Sequence, residues 1–262
     1  MNNTVKTDVL IIGAGPSGLA TAIHLADLLK TNGIEKQIIV VDKGQSVGSH
    51  ILSGAVIKPH LLPDVNFDEI PFDSKVASDE MYFLQNEKSS LKVPFHPPYM
   101  GNSGNYCASL GEICRYLAAK ATEKGVDIYP GFSMSDILYD EKGDVAGAKC
   151  IDTGIDHEGN KLENFVEGTR VEASITIFAE GTRGSLAKKL IEKKNLQQGR
   201  NPQIYSLGVK ELFSVPEGTI KAGEVYHTMG FPAMNDNVFG GGFIYGLKEN
   251  KVAVGLILGL DF

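Results

Sequence analysis

The sequence predicts an α/β fold, α+β overall, in which a mostly parallel sheet is combined with a separate antiparallel β region. The first observation is an apolar strand at residues 9–12 that runs directly into a glycine-rich turn and an Ala/Leu-rich helix. The second is another strand–glycine–helix corner at residues 172–194. The third is a change after Asn201 to segments that are mostly β-like.

The composition limits the class of protein. The chain has 262 residues, 42% of them hydrophobic, which suffices for one large domain or two interleaved ones. The formal charge is 25 − 32 = −7, which argues against nucleic acid as a partner. Residues 1–8 are too short and polar for a signal peptide, and no apolar run reaches the roughly 18 residues that span a bilayer. We therefore expect a cytoplasmic or membrane-peripheral protein.

Cysteine and histidine do not indicate a metal site. Cys107, Cys114 and Cys150 form no C-x-x-C pair, and a sparse odd set is typical of buried or half-buried reduced thiols. The six histidines show no ligand spacing. We expect neither a metal ligand nor an acid, base or nucleophile that could be named from the sequence.

The turn after the first strand has the pattern G-x-G-x-x-G, formed by Gly13, Ala14, Gly15, Pro16, Ser17 and Gly18. In such a corner Gly13 permits the tight turn, Gly15 lets the backbone approach a pyrophosphate, and Gly18 lets the helix pack closely on the strand. Proline suits the first helical turn, and the helix N-terminus favours negative charge. The pattern predicts a dinucleotide-binding site.

A second buried strand at residues 37–42 ends in an acid. Asp42 lies 24 residues after Gly18, close to the spacing of about 20 residues at which an acid accepts hydrogen bonds from the ribose hydroxyls. The alternative is an ordinary glycine turn in a βαβ unit, and the agreement of strand, turn, helix and acid favours the dinucleotide.

The middle of the chain predicts further elements. Small residues at 45–55 indicate either a loop that passes close to the ring system of a flavin, as in flavin-binding Rossmann domains, or a plain solvent loop. Both interpretations stay open. Residues 55–72, broken by prolines, are a packed loop or an apolar segment at a lipid interface, and the residues alone favour the loop. We predict the elements that follow to be a strand pair at 78–93, a helix at 109–124, a strand at 126–129, a hairpin at 134–151 and an exposed polar excursion at 153–170.

Strands at 205–213, 223–229, 238–247 and 251–258 make up the antiparallel region, with a possible pairing to 81–93. Gly240, Gly241 and Gly242 stand at the start of the third of these strands. Glycines there are typical either of a bulge or of backbone that approaches a ligand.

Several separated segments resemble one family. They include GAGPSG (13–18), VGSHILSGA (47–55), TIFAEG (176–181), HTMGFP (227–232) and FGGGFIYGL (239–247). The chain resembles the electron transfer flavoprotein–ubiquinone oxidoreductases nearly end to end. The resemblance implies a Rossmann-like FAD-binding domain of the glutathione-reductase/hydroxybenzoate-hydroxylase type, interleaved with an antiparallel quinone-binding region.

The resemblance also implies site residues. FAD would be held noncovalently by the glycine turn, with Asp42 at the ribose, and the family pattern adds Lys43, Ser53, Gly54, Leu110 and Gly181. Gly240 and Gly241 match the glycine pair whose backbone contacts ubiquinone. Residues 55–70 match the part that dips into the membrane surface, which reverses the preference for a plain loop. The FAD-binding domain would comprise residues 1–75 and 101–200, and the quinone region 76–100 and 201–262.

The family places a [4Fe-4S] cluster in its C-terminal third. Because this chain stops directly after an apolar strand, we expect it to be the N-terminal part of a longer protein, or a truncated product. The implied partners are electron transfer flavoprotein, ubiquinone and a membrane surface, with a monomer and no nucleic acid. The implied location is the cytoplasmic face of a bacterial inner membrane or the matrix side of the mitochondrial one.

Three other functions remain open. A geranylgeranyl-reductase-like flavoprotein would share the FAD turn and the TIFAEG corner but would need no cluster. A truncated FAD-binding fragment would retain flavin weakly and aggregate through an exposed sheet edge. A pyridine-nucleotide dehydrogenase is compatible with Asp42, yet no second G-x-G-x-x-G appears in the sequence.

Overall fold

The structure is a computed structural model that describes residues 3–52, 55–59, 65–96, 100–236 and 238–260. Its strands and helices, in chain order, are β1 (Thr4–Ile12), α1 (Pro16–Thr31), β2 (Ile38–Asp42), β3 (Ala55–Ile57), β4 (Phe72–Lys75), β5 (Ser78–Asn86), β6 (Ser89–Val93), β7 (Tyr106–Ala108), α2 (Leu110–Glu123), β8 (Asp127–Pro130), β9 (Met134–Tyr139), β10 (Val145–Cys150), β11 (Thr153–Ile155), β12 (Lys161–Val166), β13 (Arg170–Phe178), α3 (Ser185–Lys193), β14 (Ser206–Ser214), β15 (Glu224–Gly230), β16 (Gly240–Leu247) and β17 (Lys251–Gly259).

The described residues form two compact units. The first unit contains residues 3–51, 65–67 and 114–200, and the second contains the other described residues. Residues 52, 55–59, 68–75 and 101–113, which the sequence assigned to the FAD-binding domain, group with the second unit. The functional division of the chain stays a prediction, since compactness does not identify a ligand.

The first unit is built on a six-stranded sheet in the order β8-β2-β1-β13-β10-β9. Strands β8, β2, β1 and β13 are parallel neighbours, whereas β10 is antiparallel to both β13 and β9. The carboxyl ends of the four parallel strands therefore share one edge, where ligands bind in open sheets of this kind. The predicted parallel sheet is confirmed.

Apolar strands fix the position of that sheet. Leu10, Ile12, Ile39 and Val41 are at most 5% exposed and pack in one cluster with Leu186 of α3. Strands that are buried on both faces have continuous apolar sequences, as in β1 and β2. Because the glycine turn directly follows β1, it lies at the carboxyl edge of this buried sheet.

The second unit contains a six-stranded sheet in the order β14-β17-β16-β15-β5-β6 and a three-stranded sheet in the order β3-β7-β4. The predicted hairpin β16–β17 and the pairing of this region with β5 are confirmed. The region is not wholly antiparallel, however, because β5 pairs with β15 in the parallel sense. Cys107, Val225, Leu247 and Ala253 form its buried cluster.

The excursion at 153–170 is largely exposed, as predicted, and it also contains an element that was not predicted, a two-stranded sheet of β11 and β12. The turn between them is fixed by Asp156, whose Oδ1 accepts hydrogen bonds from the backbone N–H groups of Glu158 and Asn160 at 3.0 and 2.7 Å. A side chain that closes its own turn in this way makes a short exposed hairpin possible.

The segment 55–70 has mixed structure in its described part. It contains β3 and a 3-10 turn at Phe67–Glu69, while residues 60–64 lie outside the described residues. In the ranges that the structure describes, no helix is both long and apolar enough to cross a membrane.

Leu10→Ala tests the core of the first sheet. Leu10 is fully buried, so its truncation should lower the free energy of unfolding by about 2–5 kcal/mol, through lost burial and an unfilled cavity. Leu28→Ala on α1, where the leucine is 47% exposed, is the matched control and should change that free energy by less than about 0.5 kcal/mol. Urea denaturation followed by circular dichroism measures both. Equal effects of the two substitutions would contradict the assigned core.

Candidate functional site: a strand–glycine–helix corner and a glycine strand

The turn between β1 and α1 requires glycine at its first position. Gly13 has φ +113°, and a Cβ there would lie 2.3 Å from the carbonyl oxygen of Ala179 at the end of β13. Its N–H donates to the carbonyl oxygen of Val41 on β2 at 2.8 Å. Gly13 therefore ties the ends of three neighbouring strands together, and a larger residue would separate them.

Gly18 and Gly15 are small for different reasons. A Cβ on Gly18 would lie 1.9 Å from the carbonyl oxygen of Gly13, so the first helical turn packs directly on the loop. A Cβ on Gly15 would meet nothing within 4 Å. Open space beside Gly15 is what a backbone needs in order to receive a diphosphate, and the predicted roles of the two glycines fit this geometry.

The N-terminus of α1 is prepared for an anion. Gly15 is the N-cap and supplies no side-chain cap, Pro16 occupies the start of the helix, and the first turn contains no acidic residue. The first N–H groups of a helix have no intrahelical acceptor, and the helix dipole places partial positive charge there. The residues present thus fit the diphosphate of a dinucleotide.

Asp42 joins the turns that follow β1 and β2. Its Oδ2 accepts a hydrogen bond from the N–H of Ala14 at 2.8 Å, and its Oδ1 accepts one from the N–H of Gly44 at 2.7 Å. Each carboxylate oxygen has a second lone pair, so the half-buried side chain can also accept bonds from ribose hydroxyls. Asp42 has a structural role that the sequence pattern did not indicate, beside the ligand role that it did.

The second corner depends on Glu180. Its Oε1 and Oε2 accept hydrogen bonds from the N–H groups of Leu186 and Ala187 at 3.1 and 2.7 Å, which caps the start of α3. Gly181 has φ +80°, and a Cβ there would meet nothing within 4 Å. We predicted Gly181 and missed Glu180. An acid just ahead of a glycine turn and a helix is the signal that could have identified this cap.

The remaining predicted residues are distributed between the units. Ala14 is buried, whereas Ser17 and Lys43 are exposed in the first unit. Leu110 begins α2 and groups with the second unit. Ser53 and Gly54 lie outside the described residues.

In the second unit, glycines allow β16 to lie very close to both of its neighbours, β15 and β17. A Cβ on Gly241 would lie 2.0 Å from the carbonyl oxygen of Thr228 on β15, and one on Gly240 would lie 2.3 Å from the carbonyl oxygen of Ile257 on β17. The N–H of Gly242 donates to the Thr228 hydroxyl at 3.0 Å, beyond the last β15–β16 pair, His227 with Phe243. Strand packing alone therefore requires these glycines, and alanine substitutions would damage the fold.

The cysteines are buried and free. Burial raises the pKa of the Cys107 and Cys114 thiols to about 11, so both stay protonated at neutral pH. The prediction of buried cysteines that form no disulfide is confirmed. In the part of the chain that the structure describes, no group of three or more His, Cys, Asp or Glu side chains is arranged to hold a metal ion.

Two protein-family models match the chain. The model described as "ETF-QO, ubiquinone-binding" matches residues 205–262, and the model described as "NAD(P)-binding Rossmann-like domain" matches residues 11–71. The first range contains the glycine strand β16, and the second contains the β1–α1 corner and Asp42.

Curated relatives match nearly the whole chain. The mitochondrial electron transfer flavoprotein–ubiquinone oxidoreductase of Dictyostelium discoideum is 45% identical over 259 residues, which are 97% of this chain and 42% of that protein. The enzyme of the same name from Pseudomonas aeruginosa is 44% identical over 265 residues, which are 98% of this chain and 48% of that protein.

Solved structures share the fold. A geranylgeranyl bacteriochlorophyll reductase-like protein from Thermoplasma acidophilum aligns with a TM-score of 0.64 at 20% identity, covering 98% of this chain and 57% of that one. The myxobacterial chondrochloren halogenase CndH, described as a variant of FAD-dependent halogenases, aligns with a TM-score of 0.60 at 14% identity, covering 97% and 53%. At these identities the likeness concerns the fold, and it confirms the predicted Rossmann-like class.

Gly15→Ala and Gly18→Ala separate ligand approach from folding. Alanine at position 15 meets open space at φ −82° and should lower the melting temperature only slightly, because alanine is a poorer N-cap residue than glycine, while weakening FAD binding at least about tenfold. Alanine at position 18 meets the Gly13 carbonyl oxygen and should lower both the melting temperature and the affinity for FAD. Quenching of FAD fluorescence and thermal melts measure the two effects. Unchanged FAD affinity in Gly15→Ala would contradict the assigned diphosphate position.

The chain spans less than half the length of these curated relatives, yet the similarity extends over nearly all of its own length and includes both predicted binding regions. The sequence is therefore similar, over nearly all of its own length, to electron transfer flavoprotein–ubiquinone oxidoreductases.

Proposed function

We propose that this chain is the FAD- and ubiquinone-binding part of a flavoprotein that passes electrons from reduced electron transfer flavoprotein to ubiquinone. The observation that carries the proposal is the 45% identity to a relative of that name, together with the ubiquinone-binding match over β14 to β17. Because the chain spans only part of its relatives, the activity of the whole protein is inferred by similarity.

FAD is the dinucleotide that we assign to the β1–α1 corner. The backbone of residues 13–18 would hold its diphosphate at the start of α1, and Asp42 would accept hydrogen bonds from its ribose while keeping its bonds to Ala14 and Gly44. Lys43, Ser53, Gly54, Leu110 and Gly181 remain proposed contacts. When bound, FAD accepts electrons and passes them on singly or in pairs, and the protein's part is to bind and position it.

Ubiquinone is assigned to the start of β16. The N–H of Gly242 donates to Thr228 on β15, so the backbone groups of Gly242 point toward β15. Backbone groups alternate in direction along a strand, so those of Gly240 point the same way. Both glycines lie beyond the last β15–β16 pair. Such backbone groups can donate to or accept from a quinone carbonyl or a quinol hydroxyl. We assign no nucleophile, because electron transfer requires positioned carriers and forms no bond to the protein.

Exposed apolar side chains near this strand support contact with a membrane surface. Phe239 is 88% exposed and Met234 is 57% exposed, and both lie in the second unit close to the proposed quinone position in sequence. An apolar tip is a means of reaching a lipid-soluble quinone from the surface of a bilayer. We propose peripheral attachment, to the cytoplasmic face of a bacterial inner membrane or the matrix side of a mitochondrial one, by a monomer.

The [4Fe-4S] cluster belongs to the proposal for the whole protein. We assign it to a part of the relatives that this chain does not span. A geranylgeranyl-reductase-like reaction is the weaker alternative, since 20% identity to a protein of that kind shows a common fold alone.

Flavin absorbance tests the proposed function. The gene product, purified in detergent, should lose its oxidised flavin absorbance when reduced electron transfer flavoprotein is added and regain it when a short-chain ubiquinone is added. NADH should not bleach the flavin. A flavin that ignores electron transfer flavoprotein would disprove the donor, direct bleaching by NADH would favour a pyridine-nucleotide dehydrogenase, and a product without flavin would favour a non-catalytic fragment.

A further inference from the structure

Four titratable side chains of the second unit stand in a row. His96 Nε2 lies 3.6 Å from Asp79 Oδ1, and the same oxygen lies 3.5 Å from His227 Nδ1. On the other side of the imidazole ring, His227 Nε2 lies 3.4 Å from the hydroxyl oxygen of Tyr245. The row thus runs His96, Asp79, His227, Tyr245, at separations slightly longer than direct hydrogen bonds.

The inner atoms of this row are buried and incompletely bonded. Asp79 Oδ1, His96 Nε2 and His227 Nδ1 are inaccessible to solvent and make no direct hydrogen bond. The side chains of Asp79 and His227 are 12% and 18% exposed, whereas that of His96 is 23% exposed. Buried polar atoms of this kind require an explanation, and His96 is the end of the row that is nearest to solvent.

The carboxylate of Asp79 is held in a fixed orientation. Its Oδ2 accepts hydrogen bonds from the backbone N–H and the side-chain amide of Asn102 at 2.8 and 3.3 Å. The other oxygen therefore faces both imidazoles permanently. An anchored carboxylate between two histidines is the arrangement that fixes which ring nitrogen holds a proton.

The row shares its face of the sheet with Lys210 of β14, which pairs with Gly255 opposite Phe243. The Lys210 Nζ lies 6.0 Å from the centre of the Phe243 ring, and burial lowers the pKa of this lysine. The strand register places Asp79, His227 and Tyr245 on one face of β5, β15 and β16.

Cys107, on β7 of the three-stranded sheet, also raises the pKa of Tyr245. The thiol of Cys107 itself stays protonated at neutral pH. The alternation of side chains along these strands and along β6 places Glu80, Lys92 and Glu224 on the opposite face of the sheet.

His227 and Tyr245 have protonation states that suit proton transfer. Burial lowers the pKa of His227, although Asp79 opposes this, so the ring is neutral at pH 7 and can accept a proton on one nitrogen while releasing one from the other. Burial raises the pKa of Tyr245 to about 12, so its hydroxyl stays protonated at neutral pH. It can give up its proton only while it receives another from His227.

The row lies beside the glycine strand. His227 is opposite Phe243 in the β15–β16 register, and the Tyr245 ring stacks on Phe243 at 4.6 Å. Tyr245 is four residues from Gly241 and five from Gly240, which is about 13 and 17 Å along a strand. A chain of several ordered waters would bridge such a distance.

We propose that His96, Asp79, His227 and Tyr245 form a proton relay that supplies the quinone assigned above to the start of β16. The inference rests on the proposed function, in which the quinone gains two electrons from the reduced flavin and two protons to become a quinol. For each proton, an O–H bond of the relay breaks at Tyr245 and one forms at a quinone oxygen through bridging water. His227 in its Nε2–H tautomer returns a proton to the Tyr245 oxygen, and its Nδ1 takes the proton that leaves His96 Nε2 and passes through Asp79 Oδ1. Solvent then returns a proton to His96.

Two electron acceptors separate proton delivery from electron transfer. Prereduced flavin in the detergent-purified gene product is mixed with a short-chain ubiquinone, which takes up protons, or with ferricyanide, which takes up electrons alone. Tyr245→Phe removes only the hydroxyl and keeps the stacked ring, and His227→Gln removes the titrating group. Both variants should reoxidise with quinone at least about tenfold more slowly and with ferricyanide at the wild-type rate, in keeping with the size of acid–base contributions.

The matched control is His157→Gln, at an exposed position in the β11–β12 hairpin, and both of its rates should equal those of the wild type. Deuterium oxide should slow the wild-type reaction with quinone and leave the ferricyanide reaction unchanged. Wild-type quinone rates in Tyr245→Phe and His227→Gln would overturn the relay while leaving the proposed function intact, and equal losses with both acceptors would reduce the row to a structural role. A wild-type flavin that ferricyanide oxidises and quinone does not would overturn the proposed function and the relay together.

Discussion

The close approach of backbone to backbone at Gly13 is the constraint on which the first unit depends. The turn after β1 passes within van der Waals contact of the end of β13 and hydrogen-bonds the end of β2, so the carboxyl ends of three strands are held in one place. Helix α1 can then start directly against the turn because Gly18 has no side chain. The anion-binding character of the corner follows from this packing, since it leaves the uncapped helix N-terminus at the open sheet edge.

Asp42 shows how a residue proposed to bind a ligand can also be part of the scaffold. Its carboxylate spans the turns after β1 and β2 with two short hydrogen bonds from backbone N–H groups. A side chain that is already oriented by the protein loses little rotamer freedom on contacting a ribose, so binding there costs less conformational entropy. The same preorganisation makes its substitution ambiguous, because loss of the carboxylate would disturb both the turns and the ligand. Gly15, with open space beside it, is the cleaner position for a test of the site.

Much of the first unit could be predicted because its signals are local. A strand, a G-x-G-x-x-G turn, a helix and an acid at the end of the next strand each have a direct physical cause within about 40 residues of sequence. The hairpin at 153–166 was missed because its glycines and polar residues resemble a loop, and only the bonds made by Asp156 indicate a closed turn. The parallel pairing of β5 with β15 was missed because the two strands are far apart in the chain. Periodicity reports which face of a strand is buried but not the direction of its neighbour.

The histidine row illustrates the same limit at a site. His96, Asp79, His227 and Tyr245 are dispersed along the sequence without ligand-like spacing, and each alone is unremarkable. They meet because β5 and β15 are parallel neighbours in a register that places Asp79 two pairs away from His227, on the same face of the sheet. The two units therefore contain different kinds of chemical group. The corner of the first offers backbone N–H groups and one carboxylate, which suit the binding of a cofactor that performs its own redox chemistry. The second offers buried titratable groups beside a glycine strand, which suit a substrate whose reduction must be accompanied by protons.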